Sequence, residues 1–263
     1  MNQIFLFQII YFFIFFIIFI IIYDSIKQEG YTNNPEVILV IARYNETLDW
    51  LKEDPFYKYH YIVYNKGVNS DYYKSDKYIN EVQLPNVGRE THSYLTHIIN
   101  NYNNYPSNFT FFLPGSIELE NRYERSKRLI NELKNSPNTD LFACCLCDTT
   151  SYEVNKTFTI DNYLSSNEKN KKINIDTSMK LSEIRPFGKW YDTTFGEVNK
   201  HSKCFTQNSM FGITTKTILK KPKSYYEDLI KQVNKHHNHE TIHYFERVWE
   251  TVFYPYTNLK HVT

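Results

Sequence analysis

Val37-Ile38-Leu39-Val40-Ile41-Ala42 is an unbroken apolar run, and Arg43-Tyr44-Asn45-Glu46 follows it at once. A strand with one wet face would alternate, so six apolar residues in succession suit a strand buried on both sides, as in a parallel sheet covered by helices. The chain on either side repeats the theme. Leu48, Trp50 and Leu51 begin a short helix, Tyr61 to Tyr64 is a second strand, and Tyr78 to Leu84 a third, stopped by Pro85. From Glu90 to Tyr102, Tyr94, Leu95, Ile98, Ile99 and Tyr102 recur at helical spacing and mark one buried face. Phe109 to Leu113 is again a buried strand, closed by Pro114 and Gly115; a charged helix from Asn121 to Lys134 and a strand from Leu141 to Cys147 follow. Strands alternating with helices predict an α/β fold, a mostly parallel sheet flanked by helices, whose ligands gather at the carboxyl ends of the strands.

Farther on, Thr149 to Lys180 is polar and weakly periodic and reads as a long excursion from the core. Met210 to Thr214 predicts a strand. Ser224 with Glu227 has capping-box spacing and opens a helix through Val233. The last helix is expected from Thr241 to Phe253, with Ile242, Phe245, Trp249 and Val252 on one face.

At the other end of the chain, Ile4 to Tyr23 is apolar or aromatic except for Gln8. About 20 helical residues rise about 30 Å, the thickness of a bilayer's hydrocarbon core. No basic residue precedes the run and no small-residue cleavage site follows, so a retained single-pass anchor is expected rather than a signal peptide. Residues 1–30 are thus read as anchor and flank, and 31–263 as one globular domain entered by a short stalk, Tyr31 to Pro35. Lys27 stands between Asp24 and Glu29, which leaves the positive-inside rule little to count; a type II protein with a lumenal domain is the expectation if the chain enters the secretory pathway. The domain's partners would then include a lipid bilayer. With 30 basic and 29 acidic residues the net charge is +1, which supplies no electrostatic footprint for nucleic acid. Three sequons, at Asn45, Asn108 and Asn155, are no more than an Asn-rich chain yields by chance. Cys144, Cys145 and Cys147 crowd one apolar stretch without zinc-site spacing and read as buried thiols.

Ala42-Arg43-Tyr44-Asn45-Glu46, Tyr64-Asn65-Lys66-Gly67, Leu84-Pro85-Asn86-Val87-Gly88-Arg89-Glu90, Phe111 to Gly115 and Tyr244-Phe245-Glu246-Arg247-Val248-Trp249 occur in that order. In this succession the chain resembles the family called domain of unknown function 3431, from Val37 to Phe253. The layout also resembles the donor half of the GT-A, Rossmann-type glycosyltransferase fold. That resemblance implies a nucleotide-sugar donor, bound by Arg43, Asn45 and Glu46 after the first strand and by Gly88 and Arg89 before the amphipathic helix, with a glycan or protein acceptor. It implies Glu246 as the base that deprotonates the acceptor hydroxyl. Asn and Glu can bond a base or ribose edge, and Arg a diphosphate; the same residues can also pair with each other as ordinary loop structure. Where metal-dependent relatives carry Asp-x-Asp, this chain has Pro114-Gly115-Ser116, so the usual oxygen ligands of Mn²⁺ or Mg²⁺ are missing and no metal site is assigned. Glu118, Glu120 and Asp148 are the substitutes within reach along the chain.

Two other readings compete. His239-Glu240-Thr241-Ile242-His243 fits H-E-x-x-H, which on a helix sets two imidazoles on one face for zinc and supplies the glutamate of a metallopeptidase. Against it, Glu246 stands where such enzymes turn at a glycine, and the His-rich stretch from His236 makes a chance match easier. The third reading is a non-catalytic domain that binds a glycan or a partner.

Overall fold

The computed structural model describes residues 35–119, 122–145, 152–163, 178–198, 200 and 206–263. The expected anchor from Ile4 to Tyr23, Cys147, Cys204, Glu120, Asp148 and most of the excursion lie outside them. Among the described residues no helix is long and apolar enough to cross a membrane. Residues from Glu36 to Thr263 form one compact unit.

Seven strands make a single sheet: β1 (Val37–Arg43), β2 (His60–Asn65), β3 (Tyr78–Gln83), β4 (Phe109–Pro114), β5 (Leu141–Cys145), β6 (Thr206–Thr214) and β7 (Leu259–Val262). They lie in the order β3-β2-β1-β4-β6-β5-β7. All pairings are parallel except those of β6, which runs against β4 and β5. The longer helices are α1 (Arg89–Asn101), α2 (Arg122–Asn135), α3 (Phe187–Phe195) and α4 (Lys223–Lys231). The fold is therefore mixed α/β on a mostly parallel sheet.

β1 shows why an unbroken apolar run is needed. Ile38 and Val40 enter the core that α1 covers with Tyr94, Leu95 and Ile98. Leu39 and Ile41 point the other way, into a core built with Trp50, Phe56 and the α2 residues Leu129 and Ile130. All four are fully buried, each contributing roughly 1.5–3 kcal/mol relative to exposure.

Several expectations are corrected. The short helix begun by Leu48, Trp50 and Leu51 is a single 3-10 turn, Asp49–Lys52, with Leu48 before it in a left-handed conformation. β6 begins at Thr206, four residues before the expected strand, and is antiparallel. Two steps along β5, from Ala143 to Cys145, span five along β6, from Phe211 to Thr206, so β6 bulges. Asn208 and Ser209, with φ of 56° and 52°, carry the bulge and interrupt the alternation that would have extended the predicted strand. Ser224 does not cap its helix: α4 starts at Lys223 with Pro222 before it, whose fixed φ suits a helix start, and there is no side-chain cap. The helix expected from Thr241 to Phe253 is two pieces, Glu240–Phe245 and Trp249–Val252. Bonds from Arg247 N to Tyr244 O and from Val248 N to Phe245 O are of the tighter i to i−3 kind, and they end the first piece. The aromatic residues of both pieces, Tyr244, Phe245, Trp249 and Phe253, are all buried, so the segment has no wet face to keep it straight.

Candidate active site

The chain leaves β1 toward β2 and β3 on one side, then crosses to β4 on the other. A parallel sheet opens a crevice where its strand order reverses in this way, at the carboxyl ends of the two neighbours. A cleft of about 140 Å³ lies there. Ala42, Arg43, Tyr44 and Glu46 reach it from the end of β1, Pro114 and Ser116 from the end of β4, and Lys66 from the end of β2. The starts of α1 and α2 bring Arg89, Glu90 and Arg122; the β6 bulge brings Asn208; Tyr163, His237 and Glu246 are also on the wall.

Two glycines permit this convergence. A Cβ on Gly67 would fall 1.7 Å from the carbonyl oxygen of Tyr44, so only a bare backbone lets the β2 exit lie against the β1 turn. Gly88 precedes α1 with φ +60°, and a Cβ there would come 2.3 Å from the Val233 carbonyl oxygen.

The residues expected at the site divide into two groups. Arg43, Glu46, Arg89 and Glu246 share the cleft; Asn45, half-buried in the β1 turn, and Gly88 are not on its wall. Arg43 is buried and occupied: it donates to Glu46 O at 2.8 Å, Asn65 Oδ1 at 2.8 Å and Asn69 O at 2.7 Å, with its guanidinium 4.6 Å from the centre of the Tyr72 ring. Burial lowers its pKa, against the opposing pull of Glu46. Glu46 is equally committed, its Oε2 accepting from Tyr44 N at 2.7 Å and Asn45 N at 3.1 Å. These two residues hold the β1 turn in shape.

Arg89 is different. Its guanidinium lies 4.2 Å from the centre of the Tyr163 ring and donates to Asn238 Oδ1 at 3.0 Å. Tyr163 in turn packs on His243 at 4.6 Å. Glu246 stands 3.5 Å from His243 Nδ1. Burial opposes its charge, but His243, Arg247 and Arg89 outweigh burial and hold its carboxyl well below the usual range. The neighbouring carboxyl goes the other way: burial raises Glu90, and Glu246 raises it further. Ser209 Oγ donates to Glu90 Oε1 at 3.1 Å. Two carboxyls whose pKa values are pushed in opposite directions therefore face the same cleft, an arrangement suited to moving a proton.

Glu90, Lys66, Arg122 and Asn208 were not singled out from the sequence. Lys66 and Glu90 lie within quoted motifs, which was the available signal; Arg122 and Asn208 carried none. Lys66 is buried, donates to the carbonyl oxygens of Val87 and Arg89, and so fixes the turn into α1. Burial pulls its ammonium down to about 7, with Glu90 opposing.

The H-E-x-x-H residues do not share a helical face. His239 precedes the helix in an extended conformation, its Nδ1 accepting from Thr241 N at 3.1 Å. Glu240 is fully buried and accepts from Ser182 N at 2.9 Å, Ile160 N at 3.1 Å and Tyr244 Oη at 2.7 Å, beside Arg185 Nε at 3.2 Å. Among the described residues no three His, Cys, Asp or Glu side chains gather where they could hold a metal ion. Glu118 is exposed and off the cleft wall.

A search of curated proteins returns no match. The profile of one family, described as "Protein of unknown function (DUF3431)", matches residues 39–260, which runs from within β1 to the middle of β7 and takes in every residue of the cleft wall. With that match covering most of its length, the chain belongs to the DUF3431 family.

Proposed function

We propose that the cleft binds a nucleotide sugar and that the protein transfers the sugar to a hydroxyl of a glycan or protein acceptor. What carries the reading is the pairing, in a crevice where the strand order reverses, of Arg89 at a helix start with the ionised carboxylate of Glu246. The order of motifs along the same region resembles that of the GT-A donor half, which supports this reading. In the proposed reaction the acceptor oxygen bonds to the anomeric carbon while that carbon's bond to the diphosphate oxygen breaks. The electron pair leaves with the diphosphate beside Arg89, and the acceptor proton passes to Glu246.

A carboxylate held far below its usual pKa is a poor base. Arg89 is one of the three charges that hold it there. A diphosphate on Arg89 would offset that charge and raise Glu246 toward a useful basicity, so donor binding would prepare the base. The apolar run from Ile4 to Tyr23 supports a single-pass anchor, which would hold this activity at a bilayer.

The test is a thermal-shift screen of the full chain against nucleotides and nucleotide sugars, followed by transfer assays with any donor that binds. A saturating donor, at about 100 times its dissociation constant, stabilises by about 2.7 kcal/mol. Glu246→Gln is expected to keep donor binding and to slow transfer by roughly 10²–10⁴-fold. Failure of every nucleotide to shift the melting temperature would sink the proposal.

A further inference from the structure

Two donors beside the cleft lack acceptors. The hydroxyl of Tyr94 is wholly buried without a hydrogen-bond partner, and Arg122 Nε, shielded from solvent, has none among the described residues. Tyr94 is within electrostatic range of both Glu90 and Arg122, and those two line the cleft. Leaving a buried donor unsatisfied is costly, so the unpaired Arg122 Nε on the cleft wall, with Tyr94 in the core behind it, marks a place for an acceptor-rich group.

Charge says which kind. Arg43 and Lys66 spend their donors on the protein itself. Arg89 and Arg122 are the first residues of the 13-residue α1 and the 14-residue α2, so two positive helix ends, each led by a guanidinium, meet at one cleft. Of the carboxylates on the wall, Glu46 accepts from two backbone amides, Glu90 from Ser209, and Glu246 lies against His243 with Arg89 also within electrostatic range. At the end of β4, Pro114, Gly115 and Ser116 offer no carboxylate that a hard divalent cation would seek.

We infer that Arg89 and Arg122 grip the two phosphates of a diphosphate directly, doing the work of a divalent cation. The nucleoside attached to that diphosphate rests on the transferase proposal; the anion seat does not. Guanidinium suits the task because its planar fork meets phosphate oxygens two at a time.

The experiment measures binding of inorganic pyrophosphate, and of a panel of nucleoside diphosphates, to the full chain in EDTA and again with Mn²⁺. The expected result is binding of pyrophosphate in EDTA, unchanged by Mn²⁺, and weakened about tenfold or more in Arg122→Gln and in Arg89→Gln. Arg122→Lys, which keeps the charge but loses the fork, is expected to fall between. Unliganded melting of each variant separates misfolding from lost contacts, and the wild-type comparison of EDTA with Mn²⁺ needs no variant. Pyrophosphate binding with no gain from any nucleoside would leave this inference standing and count against the transferase. Nucleoside diphosphates that bind only with Mn²⁺ would overturn the inference and leave the transferase intact. Binding in EDTA that ignores Arg122→Gln, or no binding at all, would also overturn it.

Discussion

Arg43 and Arg89 are the same side chain with different fates. Arg43 is enclosed by carbonyls and amides of the β2–β3 connection, while Arg89 lies on an aromatic ring at the cleft wall. Nothing in the local sequence distinguishes a guanidinium spent on the protein's own carbonyls from one that faces the cleft. Arg122 escaped notice for a related reason. It opens a helix rich in charge, where one more charged residue reads as a solvated face, and only packing brings that helix start to the cleft. Gly67 was quoted only as part of a motif, and the structure supplies its reason, a close backbone contact. Gly67→Ala puts a methyl group against the Tyr44 carbonyl, and the backbone must shift to accept it. The expected cost is about 1–3 kcal/mol, read from the urea midpoint, with any donor binding weakened as well because Lys66 and the β1 turn move together.

Among the elements, β1 and β4 were recoverable from their apolar runs, and α1 from its period, since burial on both faces or on one leaves a direct trace in composition. Strand direction leaves none. β6 runs antiparallel to both of its neighbours, and its bulge at Asn208 and Ser209 is a tertiary event. The broken helix is similar: its apolar spacing was read correctly, and Ile242, Phe245, Trp249 and Val252 are all buried, yet the break sits between them. Trp249 is the joint, stacked on Phe211 at 4.9 Å and on Phe253 at 6.0 Å. Trp249→Ala is expected to destabilise by about 3–5 kcal/mol and, since the second helical piece packs behind the first, to loosen Glu246. Chemical denaturation gives the first quantity; a fall in activity larger than the loss of folded protein gives the second.

The whole molecule carries its ionisable core in a way that fixes its response to acid. His97 is fully buried, and burial takes its imidazole from the ordinary 6.5 down to about 3. Burial, with Lys66 nearby, takes His92 to about 4. In the unfolded chain both accept a proton near 6.5, so below that value the unfolded state binds more protons and acid favours it. Stability is therefore expected to fall as pH drops through 6.5 and to keep falling toward about 3, with His97 contributing up to about 1.4 kcal/mol per pH unit. Urea midpoints across that range check the slope, and His97→Phe should flatten it if the larger ring fits. The strand order has a last consequence, for synthesis rather than for equilibrium. β5 touches only β6 and β7 in the sheet, and both come later in the chain. A ribosome that has just released residues 141–145 has produced a strand with no neighbour to join, and that strand waits until residue 206 and beyond emerge. Through that interval Leu141, Phe142 and Ala143 remain unpaired and apolar, which makes this stretch the natural stop for a chaperone and the first place for nascent chains to stick to one another.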